Sequence, residues 1–181
     1  MQIRTTPLED CYIIESAVFE DGRGYFYEKF NEKKFVELTG MNGHFVQDNI
    51  SKSSYGVLRG IHLQKGEHAQ AKLVSCIEGR VLDVAIDLRV DSPTFGQWFS
   101  VELSAENKLQ FYVPRGFGHG FSVLSETAIF TYKCDNYYNR NAEGGILWND
   151  NDLNIDWKLP ERDIVLSEKD KTQPKFSLRN F

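Results

Sequence analysis

An antiparallel all-β barrel or jelly roll with short peripheral helices is the fold predicted for this 181-residue chain, and three observations carry it. Apolar residues recur with period two in several short runs, turn residues separate those runs at close spacing, and the first half holds only one helical pattern. No linker-like run, repeat or low-complexity stretch divides the sequence, so one domain over residues 1–181 is expected, large enough to bury one core.

In chain order, the first expected strand is 25–30, after which Asn31 caps a helix over 31–38. Phe35 and Leu38 are expected to share its buried face, and Gly40 to end it. Residues 56–72 read as strand-turn-strand, continuing through 72–76. Alternation is clearest over 81–88, where Leu82, Val84, Ile86 and Leu88 interleave with Asp83, Ala85 and Asp87 as in a strand with two distinct faces. Further strands are expected at 97–103, 110–113, 120–124 and 127–134. Glu78-Gly79, Asp91-Ser-Pro93, Ser104-Ala-Glu-Asn107 and Pro114-Arg-Gly116 supply turns between them. The C-terminal third is polar and punctuated, which reads as loops with one or two helical turns.

Composition removes several function classes. No apolar run approaches the roughly 18 residues of a membrane-spanning helix, so a soluble protein without a membrane partner is expected. The first ten residues lack a basic region and an apolar region, which predicts a cytoplasmic address. A net charge of −5 without a Lys/Arg cluster lacks the basic stripe of a nucleic-acid binder. Cys11, Cys76 and Cys134, without CxxC spacing, suit neither a disulfide framework nor a zinc site, and are expected to be reduced and inert.

Two stretches look chemical. The segment 56–72 gathers Arg59, His62, His68 and Lys72, and Pro114-Arg-Gly116-Phe-Gly-His119 is a turn that delivers a histidine to a strand. His44 and His68 belong to no motif and are expected to be solvated. Asp83, on the polar side of its strand, must pair with a group such as His119 or Lys72 if that side faces the barrel interior. Arg59 and His62 have opposite parity, so an unbroken strand would separate them unless Gly60 marks a bulge.

The same two stretches resemble the two motifs of the cupin jelly rolls. Metal-binding cupins hold a divalent ion with a His-x-His pair, a downstream Glu and a later His; here Gln64 replaces the second His and Lys72 stands in the Glu slot. An ammonium repels a cation, so no metal is expected, and the set suits stabilisation of an organic oxyanion instead.

A wider ordered set narrows the resemblance: Asp21-Gly-Arg23-Gly-Tyr-Phe26-Tyr-Glu28, Phe45-Val-Gln47-Asp-Asn49, Leu58-Arg59-Gly-Ile-His62, Gln70-Ala-Lys72, Val113 to His119, Tyr132-Lys133, Gly145-Ile-Leu-Trp148 and Leu166-Ser-Glu-Lys169-Asp170. It resembles the dTDP-4-dehydrorhamnose 3,5-epimerases over nearly the whole chain. That resemblance implies a homodimeric isomerase without metal or coenzyme that takes dTDP-4-dehydro-6-deoxy-D-glucose to dTDP-4-dehydro-L-rhamnose. It makes His62 the general base, Asp170 the carboxylate that orients it, Tyr132 the acid on the opposite face and Lys72 the cation at the developing enolate, with His119 beside it. It assigns Arg23, Arg59 and Lys169 to the diphosphate and its surroundings. Gln47, Asn49, Glu28 and Glu143 become polar contacts to nucleotide and sugar, Phe26 joins the substrate-binding set, and Tyr138 stacks on thymine.

The chemistry accounts for these residue types. Protons at C3 and C5 both lie α to the C4 ketone, and removing either places negative charge on the C4 oxygen. Both are axial on one ring face, so one histidine can serve both carbons, and inversion needs an acid above the ring. The bland alternatives are strand packing for Tyr132, core or interface packing for Tyr137 and Tyr138, and a surface carboxylate for Asp170. Among enzymes, the rivals are a C3-only epimerase or a ketoisomerase of the same fold. Outside them, a sugar-binding jelly roll explains aromatics but gives no reason for a Lys, His and Tyr in one pocket.

Overall fold

The computed structural model describes residues 1–177; residues 178–181, the end of the expected domain, lie outside the described residues. The strands are β1 (Gln2–Thr5), β2 (Tyr12–Glu15), β3 (Val18–Asp21), β4 (Gly24–Tyr27), β5 (Gln47–Ser54), β6 (Leu58–Gln64), β7 (Lys72–Glu78), β8 (Arg80–Asp87), β9 (Trp98–Ser104), β10 (Gln110–Val113), β11 (Phe117–Val123), β12 (Thr127–Cys134) and β13 (Glu143–Gly145). Helices α1 (Glu32–Thr39) and α2 (Glu168–Lys171) join them. A six-stranded sheet in the order β1-β2-β10-β7-β12-β5 faces a five-stranded sheet in the order β13-β6-β11-β8-β9, and β3 with β4 forms a separate hairpin. Their strand pairings are antiparallel, as the jelly-roll expectation requires.

Three apolar layers hold this together. The interior between the sheets takes Val74, Phe111 and Phe130 from one and Val81, Phe117 and Phe121 from the other. Behind the five-stranded sheet, Leu58, Ile61, Leu82, Val84 and Ile86 pack under Ile146, Leu153 and Trp157 of the C-terminal loops. Behind the six-stranded sheet, Ile14, Leu73 and Tyr112 pack against Phe35 of α1.

The second of these layers completes the reading of 81–88. Both faces of β8 are buried: the C-terminal loops cover Leu82, Val84 and Ile86, while the other side, with Val81 and Ala85, faces the interior between the sheets. Asp83 and Asp87 have the inward parity of Val81 and Ala85 and are fully buried. Helix α1 starts at Asn31 as expected, whose side chain accepts from the Lys34 amide, and ends at Gly40 in the left-handed region at φ 69°. Leu38 is 40% exposed, however, and Thr39 joins Phe35 on the buried face. Thr39 is one turn on from Phe35, and its hydroxyl donates to the Phe35 carbonyl at 2.7 Å. The strand expected at 25–30 stops at Tyr27, since Phe30 turns in to pack edge-on against Phe45.

Candidate active site

β6 and β11 are neighbours, and their register sets His62 directly beside His119. Across the interior, β7 and β12 pair Lys72 with Cys134 and Val74 with Tyr132, so Lys72 and Tyr132 share the inward face. The Lys72 ammonium lies 5.9 Å from the Tyr132 ring centroid. These four side chains line one cavity of about 560 Å³ with Arg59, Asn49, Lys169 and Asp170.

The parity problem at Arg59 and His62 is solved as expected. Three steps along β6, from Arg59 to His62, oppose two along β11, from Phe121 to His119. This bulge turns both side chains into the cavity. Gly60 has φ +127°, and a Cβ there would lie 2.6 Å from the Gly120 Cα and 2.8 Å from the His119 carbonyl oxygen. Only glycine fits between the two strands.

Asp170 reaches the site from α2. Its Oδ1 lies 2.5 Å from His62 Nε2, and the residue is 3% exposed. A carboxylate only accepts, so Nε2 carries the proton and Nδ1 is left as the basic atom of a neutral His62. Burial pushes the Asp170 carboxyl up, but the bond from His62, its charge and the Ser167 hydroxyl outweigh that and hold it below the usual carboxylate range.

A second histidine–carboxylate pair lies deeper. Asp83 takes His119 Nε2 at 3.0 Å on both oxygens, which is the pairing its buried position requires. Burial pushes His119 down and Asp83 up. Burial also lowers Lys72, against the favourable charges of Cys134 and Asp83. Tyr132 is pushed up by burial, which keeps its phenol protonated and able to donate a proton.

A smaller cavity of about 150 Å³ adjoins through His62, Lys72, Tyr132 and Lys169, and adds Gln47, Tyr138 and Glu143. Lys169 pairs with Glu143 at 2.5 Å and the Tyr138 hydroxyl bonds to the same carboxylate. Gln47 accepts from the Tyr138 amide and donates to Asn49. Tyr137 and Tyr138 are 67% and 52% exposed, so neither is core. His44 is exposed as expected, whereas His68 is half-buried and bonded to Asn139.

Three expected residues are not brought to the cavity within one chain. Arg23 stands at the tip of the β3–β4 hairpin, 91% exposed and paired with Asp21, and Phe26 on the same hairpin is 70% exposed. Glu28 is taken up by Lys34 and Asn31 at the start of α1. Conversely, the cavity holds Ser51 and Ser167, which sequence reasoning passed over. Ser167 was detectable as the first residue of a Ser-x-x-Asp capping pattern; Ser51 lies in β5, whose polar sequence carries no signal.

The Gln64 side-chain oxygen accepts from the Asn139 amide at 2.9 Å. Among the described residues, no group of three or more His, Cys, Asp or Glu side chains is placed to hold a metal ion.

Comparison with known proteins places the chain in one family. The sequence profile of the dTDP-4-dehydrorhamnose 3,5-epimerases matches residues 5–177. The chain is 53% identical over 177 residues to the dTDP-4-dehydrorhamnose 3,5-epimerase of Salmonella typhimurium, covering 96% of this chain and 94% of that one. The crystal structure of the Elizabethkingia anophelis NUHP1 dTDP-4-dehydrorhamnose 3,5-epimerase superposes with a TM-score of 0.97 at 72% identity, covering 100% and 99% of the two chains. The Legionella pneumophila dTDP-6-deoxy-D-glucose-3,5-epimerase, solved in complex with dTDP-4-keto-L-rhamnose, gives 0.92 at 49% identity, with 96% and 92% covered.

Proposed function

This chain belongs to the dTDP-4-dehydrorhamnose 3,5-epimerase family, and from that premise we propose how its cavity performs the reaction. The protein is an isomerase that inverts C3 and C5 of dTDP-4-dehydro-6-deoxy-D-glucose. His62 removes each proton through Nδ1, and Asp170 stabilises the imidazolium that forms. Charge that develops on the C4 oxygen meets the Lys72 ammonium, with His119 held neutral beside it. Tyr132 returns a proton from the opposite face. The reading is carried by one observation: the His62–Asp170 pair, Lys72 and Tyr132 converge on a single cavity.

Arg59 and Lys169 are the cations of that cavity suited to the diphosphate, while Gln47, Asn49, Glu143 and Tyr138 in and beside it suit the nucleotide. We place Tyr138 against thymine, a role its exposed ring allows. The reaction needs no metal or coenzyme, because Lys72 supplies the positive charge that an enolate requires.

We further propose a homodimer. Arg23 and Phe26, assigned to substrate by resemblance, do not reach the His62 cavity of their own chain, and their hairpin presents Phe19, Tyr25 and Phe26 as exposed aromatics. A second copy that lays this hairpin over the cavity resolves both facts. The three free, buried cysteines fit a reducing, cytoplasmic setting. No helix among the described residues is long and apolar enough to cross a membrane.

Proton exchange in deuterated water tests the chemistry. Tyr132→Phe is expected to keep incorporating deuterium at C3 or C5 while forming little inverted sugar; His62→Ala loses both, and a chelator changes neither rate in the wild type. Exchange and inversion that fall together in Tyr132→Phe would refute the two-sided assignment.

A further inference from the structure

The carboxylate that orients the base is itself oriented. Ser167 caps α2 by accepting the Asp170 amide at 3.1 Å, and Ser-x-x-Asp is the pattern of a capping box. In such a box the acid turns back to the backbone of the capping residue. Asp170 is diverted: Oδ1 takes His62, and Oδ2 accepts the Ser167 hydroxyl at 2.9 Å. One hydroxyl can do both jobs, since it has one proton to give and two lone pairs to accept with. The segment before the helix is tied to the barrel, with Leu58 donating to the Val165 carbonyl at 3.0 Å and Val165 to the Gly56 carbonyl at 2.9 Å. Ser167 therefore stands on a fixed backbone.

We propose that Ser167 is a positioning residue for the base: its hydroxyl fixes the rotation of the Asp170 carboxylate so that Oδ1 stays in line with His62 Nε2. The terminal torsion of an aspartate is soft, and one bond to a histidine does not set it. A second donor on the other oxygen does. With Oδ1 held in place, the proton remains on Nε2 and Nδ1 remains the basic atom. The inference rests on the assignment of His62 as the base.

The test compares Ser167→Ala, Ser167→Gly, Ser167→Thr and Asp170→Asn, with kcat, KM and deuterium incorporation measured well below each variant's thermal transition. Loss of a hydrogen bond to a charged group corresponds to roughly a 10-fold change, so Ser167→Ala is expected to lower kcat about 10-fold with KM within about 2-fold. Deuterium incorporation falls with it, because abstraction is the impaired step. Glycine is an acceptable cap that lacks the hydroxyl, so Ser167→Gly shows the same loss if positioning, not capping, is at stake. Ser167→Thr keeps the hydroxyl and recovers most of the activity. An unchanged kcat in Ser167→Ala or Ser167→Gly overturns the proposal, as does a rise confined to KM, which would make Ser167 a substrate contact. Threonine as poor as alanine also overturns it. Asp170→Asn separates the levels: if it too is fully active, the dyad itself is wrong, whereas an impaired Asp170→Asn beside a fully active Ser167→Ala removes only Ser167.

Discussion

Lys72 must be charged to meet an enolate, yet burial pushes its pKa below the ordinary lysine value near 10.4. The groups around it set how far. Asp83 from β8 and Cys134 from β12 raise it, while His119 and His62 contribute no negative charge. Activity is therefore full while the ammonium keeps its proton and falls as pH rises through that lowered value. Tyr132 does not compete for this limb, because its own pKa is raised. Asp83→Asn keeps a hydrogen-bond acceptor for His119 but removes the negative charge. The alkaline limb of kcat against pH is expected to move to lower pH in that variant, with activity along that limb reduced. A limb that stays in place would mean that Asp83 serves His119 alone. The buried Asp83 shows why charge at this site cannot be judged one residue at a time: each group's state is defined by the others in the same dry space.

At the scale of elements, the bulge in β6 decides whether Arg59 and His62 act on one ligand. Gly60 is its hinge, in a backbone region that other residues rarely adopt and with the Gly120 and His119 backbones against it. Gly60→Ala is expected to lose stability by more than the roughly 1–3 kcal/mol of a strained residue, since the clash adds to the strain. Thermal unfolding measures this, and a Gly60→Ala protein with an unchanged midpoint and full activity would show that the bulge can relax. The need for a bulge was legible in the sequence, from the parity of two functional side chains and a glycine between them. β5 was not: Gln-Asp-Asn-Ile-Ser-Lys-Ser-Ser has no apolar alternation, and it is a strand because the β12 ladder pairs it from Gln47 opposite Cys134 to Ser54 opposite Thr127. Backbone hydrogen bonds to a neighbour formed it, and local sequence does not record a neighbour.

For the whole molecule, the β3–β4 hairpin predicts complementation between copies. Arg23→Ala and His62→Ala are each expected to be impaired as homodimers, the first chiefly in KM and the second in kcat. Co-expressed, they form mixed dimers in which one site combines an intact His62 with the other copy's intact Arg23. Activity that returns in the mixture, with a dimer mass by light scattering, supports the shared site; a monomer, or a mixture no better than its parts, removes the hairpin from catalysis. By itself the sequence determined the barrel class and α1 with its two caps, and it marked His62, Lys72, His119 and Tyr132 as candidates through their motifs, because alternation, capping and short motifs are local and survive in one dimension. Tertiary structure alone decided that Asp83 is buried against His119, that Leu38 faces outward, that Ser167 holds Asp170, and that a carboxylate 108 residues from His62 lies 2.5 Å from its ring. Those facts depend on which surfaces pack against each other, between the sheets, under α1 and beneath the C-terminal segment, and packing is a property of the folded chain that no local pattern encodes.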